Sequence, residues 1–360
     1  MIKGHGGNVE DLAKIHNCSV DEIIDMSSNI NPLGPPDGIE EFIAANLNLI
    51  RSLPQPDAAD MCAQFSKYHN IPVDMVAAGN GTTWFIYTLA TALRSKNILI
   101  VGPTYSDYFD SCTINSIPCK FYISDESTEF EPNIDKIEYM LKDFDTVIIC
   151  NPNNPTGVFI PAEKIVKLVE KYPATYFVVD ESYLPFLPDA KELSLISYQT
   201  SFSNLIVLSS MSKIFRIPGL RVGFLSANPL LIQRFMRYYQ PWSVNSLSQA
   251  VTKHIFENRA LTEPFLKMTR SFVQIEKKIF KDTLSQCRRL KLYPSHTYFI
   301  LAKITGSMKS DKLCQLVGEH KILIRDCDNF KGLSDQFVRF SLRDRETNLR
   351  LAQILKTVIK

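Results

Sequence analysis

Between about residues 70 and 230 two kinds of pattern alternate, and this alternation constrains the fold more than any other feature of the chain. Short β-branched runs, NILIV (97–101), DTVIIC (145–150), YFVVD (176–180) and NLIVLSS (204–210), are separated by longer helical patterns. Those include WFIYTLATAL (84–93) and AEKIVKLVEKY (162–172). Strands covered on both faces read as continuous apolar runs, and helical crossovers between them require a mostly parallel sheet. The expectation is an α/β fold, a large sheet flanked by helices. Ligands in such sheets sit beyond the carboxyl ends of the strands, so the residues just after each run carry the chemistry.

From about residue 246 the pattern changes. A long helical stretch leads into HTYFILAKI (296–304), ILIRDC (322–327) and FVRFSLR (337–343), then a closing helix. This predicts a smaller α+β lobe that the N-terminal segment joins. The expected division is a large domain over 41–245 and a small one built from 1–40 and 246–360. A chain of 360 residues is long enough for two lobes.

Net charge of +2 without a long basic run gives no reason to expect nucleic acid or an anionic membrane as partner. Eight scattered cysteines without a CxxC pair read as reduced thiols, not as a disulfide framework or a metal site. No apolar run reaches membrane-spanning length and none follows Lys3, which predicts a cytoplasmic protein.

Four strand ends stand out. After NLIVLSS comes MSKIFRIPGLRVGF, with Lys213 flanked by Ser210 and Ser212 and followed by Arg221. A lysine against an apolar strand loses its proton more easily, and a neutral amine is what a Schiff base to an aldehyde cofactor needs. Hydroxyls and a guanidinium nearby suit a phosphate; a solvated loop with an incidental lysine is the plainer alternative. After YFVVD, Asp180 is a carboxylate at a buried strand end, suited to pair with a pyridinium nitrogen, with Tyr183 three residues on. A helix N-cap aspartate would look the same. NPNNPTG (151–157) holds Asn154 on a rigid turn, and AAGNGTTW (77–84) offers backbone N–H groups at a helix start. Each alone is weak; together they describe a pyridoxal-phosphate enzyme.

The order NPNNPTG, DESY, SMSKIFRIPGLRVG resembles the class I/II branch of the fold-type I aminotransferase superfamily, and the likeness runs over essentially the whole chain. It implies that Lys213 binds the cofactor aldehyde, Asp180 pairs with the ring nitrogen, and Asn154 and Tyr183 reach the ring oxygen. It further implies that Gly81, Thr82, Ser210, Ser212 and Arg221 hold the cofactor phosphate and that Tyr105 stacks on the ring. Arg339 would clamp the substrate carboxylate, and a homodimer with sites near the interface is the family's usual state.

HGGN (5–8), SSNINPLG (27–34) and QPWSVN (240–245) are similar to threonine-phosphate decarboxylases of cobalamin biosynthesis, a family close to histidinol-phosphate aminotransferases. By that likeness His5, Arg325 and Asn29 hold the phosphate of a small phosphorylated amino acid. Position alone would make His5 a frayed terminus. The implied reaction is decarboxylation of L-threonine O-phosphate; serine phosphate decarboxylation, histidinol-phosphate transamination and a binding domain without turnover are the alternatives. Two departures stand out. Leu53 occupies the place of a family tyrosine that generally reaches a cofactor phosphate across the dimer interface, and Thr83-Trp84 stand where relatives often carry acidic residues.

Overall fold

The computed structural model describes residues 6–359. Its larger lobe is built on seven strands: β1 (Val76–Asn80), β2 (Ile98–Gly102), β3 (Cys119–Ile123), β4 (Thr146–Cys150), β5 (Tyr176–Asp180), β6 (Leu205–Ser210) and β7 (Val222–Ala227). They lie in the order β1-β7-β6-β5-β4-β2-β3. Only β7 runs against its neighbours; the others are parallel. Val147, Phe177, Val178, Val207 and Leu208 are inaccessible to solvent, as strands covered on both faces must be. The alternation therefore gave the right architecture, with β1, β3 and β7 added at places it did not mark as strands.

The smaller lobe carries an antiparallel sheet of β8 (Leu290–Leu292), β9 (Phe299–Ile304), β10 (Arg325–Asp326) and β11 (Phe337–Ser341), in the order β10-β11-β9-β8. ILIRDC is not one strand. Ile322–Leu323 pairs in parallel with Ile24–Asp25, and Arg325–Asp326 joins β11 instead. The N-terminal segment is thus stitched into the C-terminal lobe.

The long helical stretch is two helices, Ser246–Glu257 and Arg259–Leu284. Val251, Ile255, Phe265 and Val273 belong to the larger core, whereas Phe280 and Leu284 belong to the smaller one with Ile300, Phe340 and Leu351. The change of core falls inside the second helix, which ties the lobes together along its length. Each such side chain contributes about 1.5–3 kcal/mol by leaving water.

Candidate active site

The central strands β6, β5, β4 and β2 are neighbours, so the loops after them meet at one end of the sheet. β6 ends at Ser210 and passes into the short helix Met211–Ile214, which carries Lys213. β5 ends at Asp180; the turns after β4 and β2 deliver Asn154 and Tyr105. Gly81 and Arg221 converge from the sheet's other edge, where β1 and β7 run antiparallel with Asn80 opposite Val222. The Gly81 N–H donates to the Arg221 carbonyl at 3.0 Å.

All ten residues assigned to the cofactor, Lys213, Asp180, Tyr183, Asn154, Tyr105, Gly81, Thr82, Ser210, Ser212 and Arg221, line one cavity of about 560 Å³. Asp180 is buried and pinned from both sides. Its Oδ1 accepts from the Ser182 N–H at 2.9 Å and its Oδ2 from the Tyr108 hydroxyl at 2.8 Å. Burial pushes its carboxyl up, against the pull of Ser182, Tyr108 and Lys213. Lys213 is pushed down to about 8, by burial first and then by the charges of Arg221 and Arg339. Burial also raises the Tyr183 phenol above its ordinary range, so it stays protonated.

The cavity's shape and donors fit pyridoxal phosphate. Gly81 has φ +73°, and a Cβ there would lie 2.5 Å from Arg221 Nη2, so this corner is reserved for the guanidinium and what it binds. Gly223 lets β7 pass against the Thr82 backbone, which a Cβ would approach to 2.3 Å. Two buried serines, Thr82 and Arg221 at the helix start form a set of donors for a phosphate. Across the cavity stand a carboxylate for a ring nitrogen and an amine with a lowered pKa for an aldehyde. Thr83 accepts a hydrogen bond from Arg221 Nη2 at 3.4 Å, whereas Trp84 packs edge-on against Phe85 and Tyr239 and is not among the residues lining the cavity.

A second cavity, about 980 Å³, opens from the first and shares Tyr105, Asn154, Tyr183 and Lys213 with it. Its other walls include Ser27, Ser28, Asn29, Ser106, Arg325 and Arg339. Arg325 and Arg339 are register partners across β10 and β11 and both are buried. Arg339 donates through Nη1 to Asn154 Oδ1 and through Nη2 to the Ser27 carbonyl, while its Nε is a buried donor with no partner among the described residues. Arg325 donates through Nη2 to Asn329 at 2.7 Å and lies over the Phe330 ring.

Two expected phosphate contacts need separate treatment. Asn29 lines the cavity, but its side chain is engaged: Nδ2 donates to Tyr183 and Oδ1 accepts from Ser341. That arrangement positions the phenol, and the second Nδ2–H of the amide has no partner among the described residues. His5 lies outside the described residues. Its neighbour Gly6 lines the cavity, and the Gly7 N–H donates to Ser27 Oγ at 2.7 Å.

Sequence reasoning missed the groups that hold the N-terminal strap. Arg343 donates to the Ser28 and Ile30 carbonyls, Arg216 to those of Asn31 and Pro32, and the Asn31 N–H to the Lys213 carbonyl. A side chain that binds backbone leaves no local pattern. Tyr108 was missed too, although its place three residues after Tyr105 in PTYSDY, at the start of the next helix, could have signalled it.

The family model for class I and II aminotransferases matches residues 21–355, and the chain belongs to that family. It is a pyridoxal-phosphate-dependent enzyme of the aminotransferase fold. The adenosylcobalamin biosynthesis bifunctional protein CobDQ of Leptospira interrogans is 31% identical over 98% of this chain, which spans only 41% of that relative. Threonine-phosphate decarboxylase of Salmonella typhimurium is 28% identical over 99% of this chain and 96% of its own length. Histidinol-phosphate aminotransferase of Methanococcus aeolicus matches at 28% over 98% of this chain and 95% of its own length. The crystal structure of L-threonine-O-3-phosphate decarboxylase from Porphyromonas gingivalis superimposes with a TM-score of 0.83 at 29% identity, over 93% of this chain and 99% of that one. No helix among the described residues is long and apolar enough to cross a membrane.

Proposed function

We propose that this chain decarboxylates a phosphorylated amino acid, L-threonine O-phosphate, to (R)-1-amino-2-propanol O-phosphate for the cobamide nucleotide loop. The observation that carries the proposal is the pair Arg325 and Arg339, opposite each other in the β10–β11 register and both lining the second cavity. Like charges directly opposite on a sheet repel, and buried guanidiniums call for anions. A substrate with both a phosphate and a carboxylate supplies two, and Arg offers each a bidentate fork. Relatives of this chain named for threonine phosphate support the same reading.

In this proposal Arg339 and Asn154 orient the α-carboxylate, and Arg325 holds the phosphate. Pyridoxal phosphate, when bound, supplies an electrophilic aldehyde and a ring that accepts the electron pair left by departing CO₂. Asp180 would keep the ring nitrogen protonated, Asn154 and Tyr183 would meet the ring oxygen, and Ser210, Ser212, Thr82, Gly81 and Arg221 would hold the cofactor phosphate. Tyr105, which lines the cavity, would stack on the ring. Lys213, as a neutral amine, would hold the aldehyde, and once protonated it would donate the proton that Cα takes up in place of CO₂.

The active form is a homodimer in this proposal. Leu47, Ile50, Leu53 and Trp242 are exposed apolar residues on two segments that pack together, Ser246 Oγ donating to the Ser52 carbonyl and the Trp242 N–H to that of Pro56. Ser248 and Asn245 bind the Leu220 carbonyl beside the exposed Arg221, so this patch borders the phosphate end of the cavity.

The deciding test is a parallel assay on threonine phosphate, serine phosphate and, with 2-oxoglutarate, histidinol phosphate. Release of CO₂ from threonine phosphate without 2-oxoglutarate is the expected result. Glutamate formation from histidinol phosphate as the only turnover would overturn the proposal.

A further inference from the structure

Tyr108, on the helix Asp107–Ile114, is fully buried, and its hydroxyl is 2.8 Å from Asp180 Oδ2. Burial holds the phenol far above its ordinary pKa, so at working pH it is a donor and the carboxylate its acceptor. The Ser182 N–H occupies Oδ1 at 2.9 Å. Two donors, one on each oxygen, fix the carboxylate plane and stabilise its ionised form against burial. The Tyr108 ring also stands perpendicular to Tyr105, with centroids 5.7 Å apart. One side chain thus touches both the ring-face residue and the carboxylate that faces the ring nitrogen.

We infer that Tyr108 is a positioning residue which, through its hydrogen bond to Asp180, keeps the shared proton on the cofactor's ring nitrogen and off the carboxylate. Ser182 also favours the ionised carboxylate, through its N–H and its hydroxyl, whereas Tyr108 is the donor seen on Oδ2. Lys213 is a cation whose charge acts on the same carboxylate. Tyr105, Tyr183 and the Cys150 thiol, which is opposite Asp180 in the β4–β5 register, are neutral. Glu181 is a further acid, engaged by Ser194 Oγ and the Leu195 N–H. Without the Tyr108 hydroxyl, the buried carboxylate keeps the N–H and hydroxyl of Ser182 but loses its donor on Oδ2, the proton shifts toward the carboxylate, and the ring's pull on electrons from Cα weakens.

The experiment is nuclear magnetic resonance of the holoenzyme carrying cofactor labelled with ¹⁵N at the ring nitrogen. In Tyr108→Phe the resonance moves from the pyridinium position toward that of a neutral pyridine. Turnover, kcat, falls about tenfold or more with KM within about twofold, as loss of a hydrogen bond to a charged group implies. An unmoved resonance with kcat near wild type overturns the inference. Should Tyr108→Phe not fold, 3-fluorotyrosine at position 108 retains the shape. Its ¹⁹F resonance then differs between enzyme loaded with the natural cofactor and with its 1-deaza analogue; identical resonances overturn the inference.

Discussion

Asn29 Nδ2 donates to the Tyr183 phenol oxygen at 3.2 Å, joining the N-terminal strap to the wall of the cofactor cavity across 154 residues of sequence. Both residues are buried, and Asn29 Oδ1 accepts from Ser341 Oγ on β11 at 2.7 Å. One amide therefore connects the strap, the cofactor wall and the small lobe. Asn29→Ala strands two buried hydroxyls and lowers stability by about 1–3 kcal/mol. Thermal unfolding of the holoenzyme measures this, and an unchanged melting temperature contradicts it.

Lys213, at about 8 instead of the ordinary 10.5, is mainly protonated at pH 7 and mainly neutral at pH 9. Only the neutral amine attacks an aldehyde. Cofactor capture by the apoenzyme accordingly accelerates as pH rises, with a midpoint near 8 in stopped-flow absorbance. A midpoint near the ordinary lysine value rules out the lowered pKa. Lys213→Ala abolishes borohydride-stable labelling and reduces turnover by about 10²–10⁴-fold, the usual weight of a positioned proton-transfer group.

Arg325 and Arg339 separate by substrate. Arg325→Gln raises KM for threonine phosphate by about tenfold or more, the worth of a charged hydrogen bond, and leaves the weak binding of unphosphorylated threonine unchanged. Arg339→Gln weakens both. Inhibition constants for threonine and its phosphate give the comparison; equal losses for the two ligands in Arg325→Gln would reassign that arginine.

Gly81→Ala places a Cβ at φ +73° and 2.5 Å from Arg221 Nη2. Arg221 must swing away, and cofactor affinity falls by about tenfold, one charged hydrogen bond's worth. Equilibrium dialysis of the cofactor tests it.

The contrast between legible and hidden residues is physical. Lys213, Asp180 and Asn154 follow strand runs whose apolar continuity marks burial on both faces, and topology then brings them together. β7 escaped notice because VGFLSA reads as the tail of the Lys213–Arg221 motif, although Pro218-Gly219 and Asn228-Pro229 bracket it, and ILIRDC looked continuous although Ile324 is where the chain changes sheets. Asn29 sits in a stretch whose likeness to relatives suggested a phosphate, while its partner Tyr183 is visible only in three dimensions. The pattern change at residue 246 marks amphipathic helices, and nothing in such a pattern tells which core a helix turn enters.

The strap over the substrate cavity is gripped by Arg339, Arg343 and Arg216 through the carbonyls of Ser27, Ser28, Ile30, Asn31 and Pro32. Every residue carries a carbonyl, so this grip is indifferent to which side chains the strap bears. Position 30, whose own side chain lines the cavity and makes none of these bonds, is an exchangeable wall on a fixed backbone, whereas the Ser28 hydroxyl is tied to Asp25. A lineage, or an engineer, can exchange Ile30 to reshape that wall for a different substrate without undoing the anchor that fixes the strap.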